Sequence, residues 1–532
     1  MARAADHVGL PADGHVESRD PATGEVVGRV PRTPPEAVEA VARSVSDPQR
    51  RWARVPLRRR LDLMARAADR LLDRREELSL LFTRESGKPI TESTIVEVGA
   101  AALQLSWLAR RGGRHLAPER VSDPQIVVKH KRHWIVSAPL GVVGVIGPWN
   151  YPFMLPLADV AFALAAGNGV VLKPSELTPL SGRAIADLFA EAGLPDGVLR
   201  VIHGEGETGA AMCRAAPMRK IFFTGSVEVG RRVLAEAARH GKAAHLELGG
   251  NDPAVVLADA DLERAARGVL WAGCANAGQT CAAVERVYVD RRVHDAFVDR
   301  VVAAARELAP GDPRRPDTQI GPMASERQYR KVLAHLEDAR SRGARVECGG
   351  PVEVPGLPGR FIAPTVLTGV DHSMLVMGGE TFGPLLPVMS FGTEREAVRL
   401  ANDSELALGA SVWTRDARLG RALAREIDAG MVWINDHAYS HGLGQIPWGG
   451  VKASGTGVVH SRFGLDAMTE KRLVAEDSGR VPPGWWFPYD EGRRLGFAAV
   501  IESIARSRPA DRAQAAWRRR GAIARYLRSL FE

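Results

Sequence analysis

The chain is expected to be an α/β protein with two doubly wound domains and a β arm. Three observations carry this. From residue 141 onward, short apolar strands alternate with longer helical stretches, the pattern of a parallel sheet wound on both sides. Residues 141–146 (GVVGVI) are apolar throughout, as in a strand covered on both faces. The alternation then restarts near Ala254 and runs to about Asn435, enough for a second domain.

In chain order, the opening reads as two short strands around the turn Asp20-Pro-Ala-Thr-Gly24, the second at 25–30. Helical periodicity follows over 35–46. A long helical region spans about 57–116, with apolar residues at three- and four-residue steps. Residues 125–136 (QIVVKHKRHWIV) are β-rich and partly alternating, the mark of an exposed hairpin arm. The first domain then offers strands at 141–146, 169–172, 198–202 and 220–223, with helices at 155–166, 181–192 and 227–238. The second opens with a strand at 254–257, a helix at 262–275, a strand at 285–289 and a helix at 294–307. From Pro482 the sequence PPGWWFPYDEG reads as a linker into an Arg/Ala-rich tail.

Composition narrows the classes. At 532 residues, 45% apolar and 25% charged, the chain resembles an ordinary globular protein, so wholesale disorder is excluded. Four cysteines exclude a disulfide framework and fit a reducing, cytoplasmic compartment. The first twenty residues are polar, so no targeting segment is expected. The apolar stretch 154–172 contains Pro156, Asp159 and Asn168, and reads as a buried helix and strand rather than a membrane span. The net charge of +8 is mild for this length and implies no nucleic-acid partner. It is also uneven. Residues 501–532 hold eight Arg against Glu502, Asp511 and Glu532, a balance of +5, which leaves +3 for the other 500 residues.

Six motifs carry chemistry. Gly147-Pro148-Trp149-Asn150 follows the first buried strand, and Asn150 offers amide donors that can hold an oxyanion or simply turn the chain. Lys173-Pro174-Ser-Glu176 ends another strand. A carboxylate there accepts bonds from ribose hydroxyls and repels a 2′-phosphate, or it is a solvated ion pair. Gly225-Ser226-Val-Glu-Val-Gly230 lies between a strand and a helix, where an N-terminus favours pyrophosphate, although a packing role suffices for the glycines. Glu247, between leucines and before Gly249-Gly250, suits a general base of raised pKa. Cys281 follows a glycine-containing turn, where backbone N–H groups can favour a thiolate. The other three cysteines read as buried hydrophobes. Glu380-Thr-Phe382-Gly383-Pro384 joins an acid and an aromatic at a turn.

In this order and spacing, from about Asp20 to Leu473, the motifs resemble the aldehyde dehydrogenase superfamily. The resemblance implies that Cys281 attacks the aldehyde, with Asn150 and the Cys281 backbone N–H as oxyanion donors. It implies that Glu247 activates the water that hydrolyses the thioester. Trp149, Lys173, Glu176, Gly225, Ser226, Gly230, Glu380 and Phe382 would bind NAD, with NADP less favoured and no metal needed. It implies an NAD-binding domain (1–120 and 140–249), a catalytic domain (250–452), an oligomerisation arm (121–139 and 453–478) and a C-terminal extension (479–532). The arm would make a homodimer or homotetramer.

The sequence departs from the family in two places. Many members carry Gly-Arg-Glu after the Ser-Gly turn; here Ser454-Gly-Thr-Gly457 runs into Val458 and Val459, so the acid that relays protons from the base is missing. The segment 435–447 is about two residues longer than in many members, so specificity does not transfer. The helix after Asn150 would offer Tyr151, Met154, Leu155 and Ala158 to the substrate tunnel, with no cation before Asp159. This favours an apolar aldehyde, aliphatic or aromatic, over succinate semialdehyde, unless Arg462 or His441 reaches the tunnel. Two other readings compete: a CoA-acylating enzyme, which Glu247 argues against, and a non-catalytic membrane-associated scaffold, which the retained nucleophile and base argue against. In the tail, residues 513–531 have Ile523, Leu527 and Leu530 at helical steps among arginines, interrupted at Gly521. Such a helix can lie on an anionic membrane surface or pack on a neighbouring subunit or domain.

Overall fold

Val142–Ile146 is the middle of a six-stranded sheet, and all five of its residues are buried. The strand order is Gly455–Thr456, Ala243–Glu247, Met218–Thr224, Val142–Ile146, Gly169–Lys173, Leu199–Val201. All pairs are parallel except the first, where Gly455 lies antiparallel to Glu247. Chain order therefore reverses between Val142–Ile146 and Met218–Thr224, the switch point at which open α/β sheets bind ligands beyond their strand ends. Helices cover both faces. One side holds Trp52, Leu157, Phe162 and Phe189; the other holds Val41, Met212 and Ile221. Each large side chain fully buried there contributes roughly 1.5–3 kcal/mol.

The computed structural model describes residues 14–122, 128, 130–480 and 485–529. The expected elements of this sheet are present within a few residues of their predicted bounds, because length and flanking glycine and proline separate short apolar strands from the longer helices. Caps fix several starts: Ser226 accepts from the Val229 N–H at 3.4 Å and Asp261 from the Arg264 N–H at 3.2 Å. The helix Gly206–Arg214 escaped the sequence reading; it is short and glycine-rich at its start. The long region 57–116 is several helices, broken at Arg74 and at Gly87-Lys88-Pro89, where Gly87 has φ 77°.

The second sheet has seven strands, in the order Arg345–Val354, Leu357–Thr368, Leu385–Phe391, Val284–Asp290, Asp252–Val256, Gly409–Trp413, Met431–Ile434. It is parallel apart from the edge hairpin formed by its first two strands. Val289, Phe297, Leu386 and Trp413 sit in its core.

Both sheets belong to one unit, residues 14–116 and 138–470. This differs from the expected arm boundary at residue 453. Gly455–Thr456 pairs with Ala243–Glu247 and helix Ser461–Ala467 lies in the same unit, so 453–470 are part of the enzyme body.

The second unit, Ala117–Ser137 with Lys471–Glu532, holds most of a three-stranded sheet and a helical hairpin. The sheet order is Thr469–Asp477, Lys131–Pro139, Glu119–Val121, and Glu119 faces Ile135 antiparallel. This is the expected pairing of arm and C-terminal strand, shifted toward Lys131; residues 125–127 and 129 of the predicted hairpin lie outside the described residues. Helices Glu491–Ala505 and Pro509–Ser529 follow. The second runs through Gly521 without the expected interruption, since the surrounding alanines and arginines are strong helix formers. Its Tyr526 is buried against the first helix, where Gly496 leaves no room for a side chain. The predicted Leu530 and Phe531, and residues 481–484, lie outside the described residues. No helix among the described residues is long and apolar enough to cross a membrane.

Candidate active site

The carboxyl ends of the six-stranded sheet face the amino ends of the seven-stranded one. Glu247 ends the strand Ala243–Glu247, whereas Cys281 and Glu380 precede the strands Val284–Asp290 and Leu385–Phe391. The predicted residues are thus brought to one region by two sheets of opposite aspect.

Cys281 is carried on a tight turn. Asn276 and Ala277 both have φ 54°, and Gly278 has φ 72°. A Cβ on Gly278 would collide with the Gly383 backbone, so only glycine fits. Asn276 tolerates the left-handed region, and its side chain is used twice, donating to the backbone carbonyls of Asn150 at 3.0 Å and Gln279 at 3.2 Å. Burial pushes the Cys281 thiol up, and the carboxylates of Asp252, Glu247 and Glu380 push it further. The Ala282 N–H reaches the sulfur and opposes them. These surroundings favour the protonated thiol, against the pull of the turn's N–H group. Cys213 and Cys274 are buried, while Cys348 is half-buried at the edge strand.

Asn150 is buried and donates Nδ2–H to the Gln279 carbonyl at 2.9 Å, which leaves its second N–H for a ligand. Tyr151 Oη lies 2.8 Å from Thr280 Oγ1, beside Cys281. Glu247 is 8% exposed, and neither of its oxygens has a hydrogen-bond partner. Burial pushes its pKa well above the usual carboxylate range, with Asp159 adding to the rise. A carboxylate of raised pKa is a stronger proton acceptor than an ordinary one.

At the switch point, Lys173 Nζ donates to the Pro174 carbonyl at 3.0 Å and lies 3.8 Å from the half-exposed Glu176 carboxylate. Gly225 leads into the helix Val227–Arg239, whose first turn Ser226 caps with its own hydroxyl. Gly230 packs against Leu248, where a Cβ would collide. Trp149 meets the Phe382 ring edge-on at 5.4 Å between centroids. Glu380 takes the Gly250 N–H, and a Cβ on Gly249 would run into its carboxylate. These residues form an open cradle of acceptors, an ammonium, glycines and aromatics along the strand ends, a donor set suited to a dinucleotide.

Several residues that hold this geometry escaped the sequence reading. Glu285 accepts the N–H groups of Thr381 at 2.6 Å and Phe382 at 2.7 Å, and so keeps Phe382 at φ 58°. The buried Lys88–Glu97 ion pair supports the start of helix Met154–Ala166. Glu97 Oε2 takes the Phe153 and Met154 N–H groups at 3.2 and 2.8 Å, and Lys88 Nζ sits 3.7 Å above the Tyr151 ring. His437 donates toward the Ala282 carbonyl at 2.9 Å and lies 3.5 Å from the buried Asp252. A lone polar residue inside an apolar helix or loop gives no sequence signal of such pairing. Of the residues expected to line the tunnel, Tyr151, Met154 and Ala158 are buried and Leu155 is half-buried. His441 packs edge-on against Trp448 at 4.3 Å and His460 at 4.9 Å, and burial lowers it to about 4. Arg462 instead lies over the exposed Phe463 ring.

The model of the Aldehyde dehydrogenase family matches residues 10–474. Betaine aldehyde dehydrogenase of Cereibacter sphaeroides is 38% identical over 461 residues, 87% of this chain and 93% of that protein. The 4,4'-diapolycopene aldehyde oxidase of Methylomonas sp is 38% identical over 486 residues, 91% of this chain and 90% of that protein. Among solved structures, the NAD-dependent aldehyde dehydrogenase from Sinorhizobium meliloti matches with a TM-score of 0.85 at 35% identity, over 91% of this chain and 95% of that one. The E. coli NADP dependent enzyme matches with 0.83 at 34% identity, over 87% and 95%. The order of motifs, the two facing sheets and these likenesses agree: the chain belongs to the aldehyde dehydrogenase family and is an enzyme of that class.

Proposed function

We propose that the protein oxidises an apolar aldehyde to its carboxylic acid through Cys281, with NAD as cofactor. The observation that carries this is the placement of Cys281 and Glu247, delivered by separate sheets, close enough for the Glu247 carboxylate to raise the thiol. Cys281 gives up its thiol proton to solvent water and the sulfur forms a bond to the aldehyde carbon, whose carbonyl electron pair moves to the oxygen. Asn150 and the Cys281 N–H take the oxyanion, a contribution of roughly 3–4 kcal/mol per donor. NAD, when bound, supplies the hydride acceptor. Glu247 then removes a proton from water, whose oxygen attacks the thioester carbon; the carbon–sulfur bond breaks and the acid leaves.

The cofactor preference rests on Glu176. Its exposed carboxylate at the end of Gly169–Lys173 accepts ribose hydroxyls and repels a 2′-phosphate. Trp149 and Phe382 would flank the nicotinamide end, Gly225, Ser226 and Gly230 would take the pyrophosphate turn, and Glu380 the second ribose. The substrate preference rests on His441: pushed to about 4, it is neutral at physiological pH and offers no cation to a distal carboxylate. The relatives differ in the aldehyde they are named for, so the apolar reading is supported by side chains alone. Turnover of hexanal, benzaldehyde, betaine aldehyde and succinate semialdehyde, each with NAD and NADP, tests both points. Preference for succinate semialdehyde overturns the apolar reading, and acyl-CoA formation on adding CoA overturns hydrolysis.

The arm fits a homodimer or homotetramer, because Leu473 and Val474 stand exposed on its strand Thr469–Asp477. The tail helix spends Tyr526 on its own partner helix but leaves Trp517 exposed among Arg518, Arg519 and Arg520. Flotation with phosphatidylglycerol vesicles separates a peripheral lipid contact from subunit packing, which light scattering reads.

A further inference from the structure

Val459 occupies the position where the relaying acid is missing, and it lines a small cavity of about 10 Å³, room for about one water. Asp159, from helix Met154–Ala166, lines the same cavity with Phe222, His460 and Ala467. Its carboxylate is nearly buried, and no described residue donates a hydrogen bond to it. The groups around it are few. His460, from the segment after Val459, lines the cavity. Glu247, at the end of strand Ala243–Glu247, does not line it but lies near enough for Asp159 to raise its pKa, and Lys220, from Met218–Thr224, acts on Asp159 in turn. His245 stacks on Phe222 at 5.3 Å, with its Nε2 3.8 Å from Glu247 Oε1. That nitrogen and both Glu247 oxygens have no hydrogen-bond partner. Buried polar atoms left in this way mark a path that water completes. Lys220 donates to the Ala467 carbonyl at 2.9 Å, and among the described residues its ammonium is the cation that acts on Asp159.

We propose that Asp159 receives the proton that Glu247 collects during thioester hydrolysis, standing in at the same cavity for the acid that Val459 lacks. The inference rests on Glu247 being the base. In each cycle the attacking water gives one proton to Glu247, the Cys281 sulfur leaves as thiolate, and Glu247 must be emptied before the next water. The proton passes over one cavity water to the Asp159 carboxylate and from there to solvent. Lys220 favours the emptied carboxylate and so restores the acceptor. Burial raises Asp159 to about 7, which matches it to a donor of raised pKa and to neutral solvent. Asp159 acts through Glu247 and is therefore a positioning residue.

Hydrolysis of p-nitrophenyl acetate without cofactor tests this, because the acyl group reaches Cys281 with no hydride step. Asp159→Asn is expected to keep the initial burst of one p-nitrophenolate per site and to lower the steady rate at least tenfold. The limb of the pH profile near 7 should vanish with it. Asp159→Asn combined with Val459→Glu is expected to recover most of the rate. An unchanged steady rate and profile in Asp159→Asn overturns the proposal; so does an equal loss of burst and steady rate. Glu247→Gln separates the two readings: if it hydrolyses normally, the assignment of the base fails, whereas a stalled Glu247→Gln beside a normal Asp159→Asn overturns the relay alone.

Discussion

Asn276 and Asn150 are joined directly: the Asn276 side-chain amide donates to the Asn150 backbone carbonyl at 3.0 Å, across 126 residues of chain. The turn that carries Cys281 thus also fixes the residue that faces it. Removing the Asn150 donor by Asn150→Ala should lower kcat about 10²–10³-fold, with cofactor affinity unchanged by fluorescence titration. Asn276→Ala should lower kcat by a smaller factor, since it displaces the donor without deleting it.

Gly278 tests the turn itself. Gly278→Ala puts a methyl group into the Gly383 backbone at a positive φ, and neither side can yield. The substitution should cost about 2 kcal/mol or more and lower the rate at which Cys281 is alkylated by iodoacetamide. Denaturant midpoints and alkylation kinetics read the two effects.

Phe382 is held at φ 58° by Glu285. Phe382→Gly should relieve the backbone by about 1 kcal/mol while losing the contact with Trp149. The expected result is a melting temperature no lower than the parent's and a dissociation constant for NAD raised about tenfold. A lowered melting temperature with unchanged NAD binding would contradict this.

His245 sets part of the acid limit. Burial lowers its pKa from 6.5 to about 4, so between those values the unfolded chain binds the extra proton. Its contribution to stability, on the order of 3 kcal/mol, is present above pH 6.5 and is lost as pH falls toward 4. Urea unfolding at stepped pH should show a shallower acid decline for His245→Gln than for the parent.

The C-terminal hairpin depends on Gly496, where any side chain meets Tyr526. Gly496→Val should part the two helices and speed proteolysis beyond residue 505. Limited trypsin digestion followed by mass spectrometry reads this, with unaltered cutting as the failing result.

The strands of the cofactor sheet were legible because their residues are apolar on both faces, as in Val142–Ile146. Cys281, Glu247 and Asn150 were legible as types in order, since each stands at a strand or turn boundary. What the sequence hid was pairing at long range. Glu285 looks like one more strand residue until Thr381 and Phe382 fold onto it. Asp159 reads as a polar break in an apolar helix, and only the sheet behind it places it with Val459. The surroundings of Cys281 were also hidden: local N–H groups can favour a thiolate, while three carboxylates from distant segments oppose it.

The opposed sheets have a consequence for how the chain comes of age. Glu247 ends one sheet and Cys281 begins work on the other, so a nascent chain that has closed only its first core holds a base with nothing to serve. A chain missing the first core holds a thiol with no partner to receive its products. The candidate thiol and base therefore come together only once both layers have met.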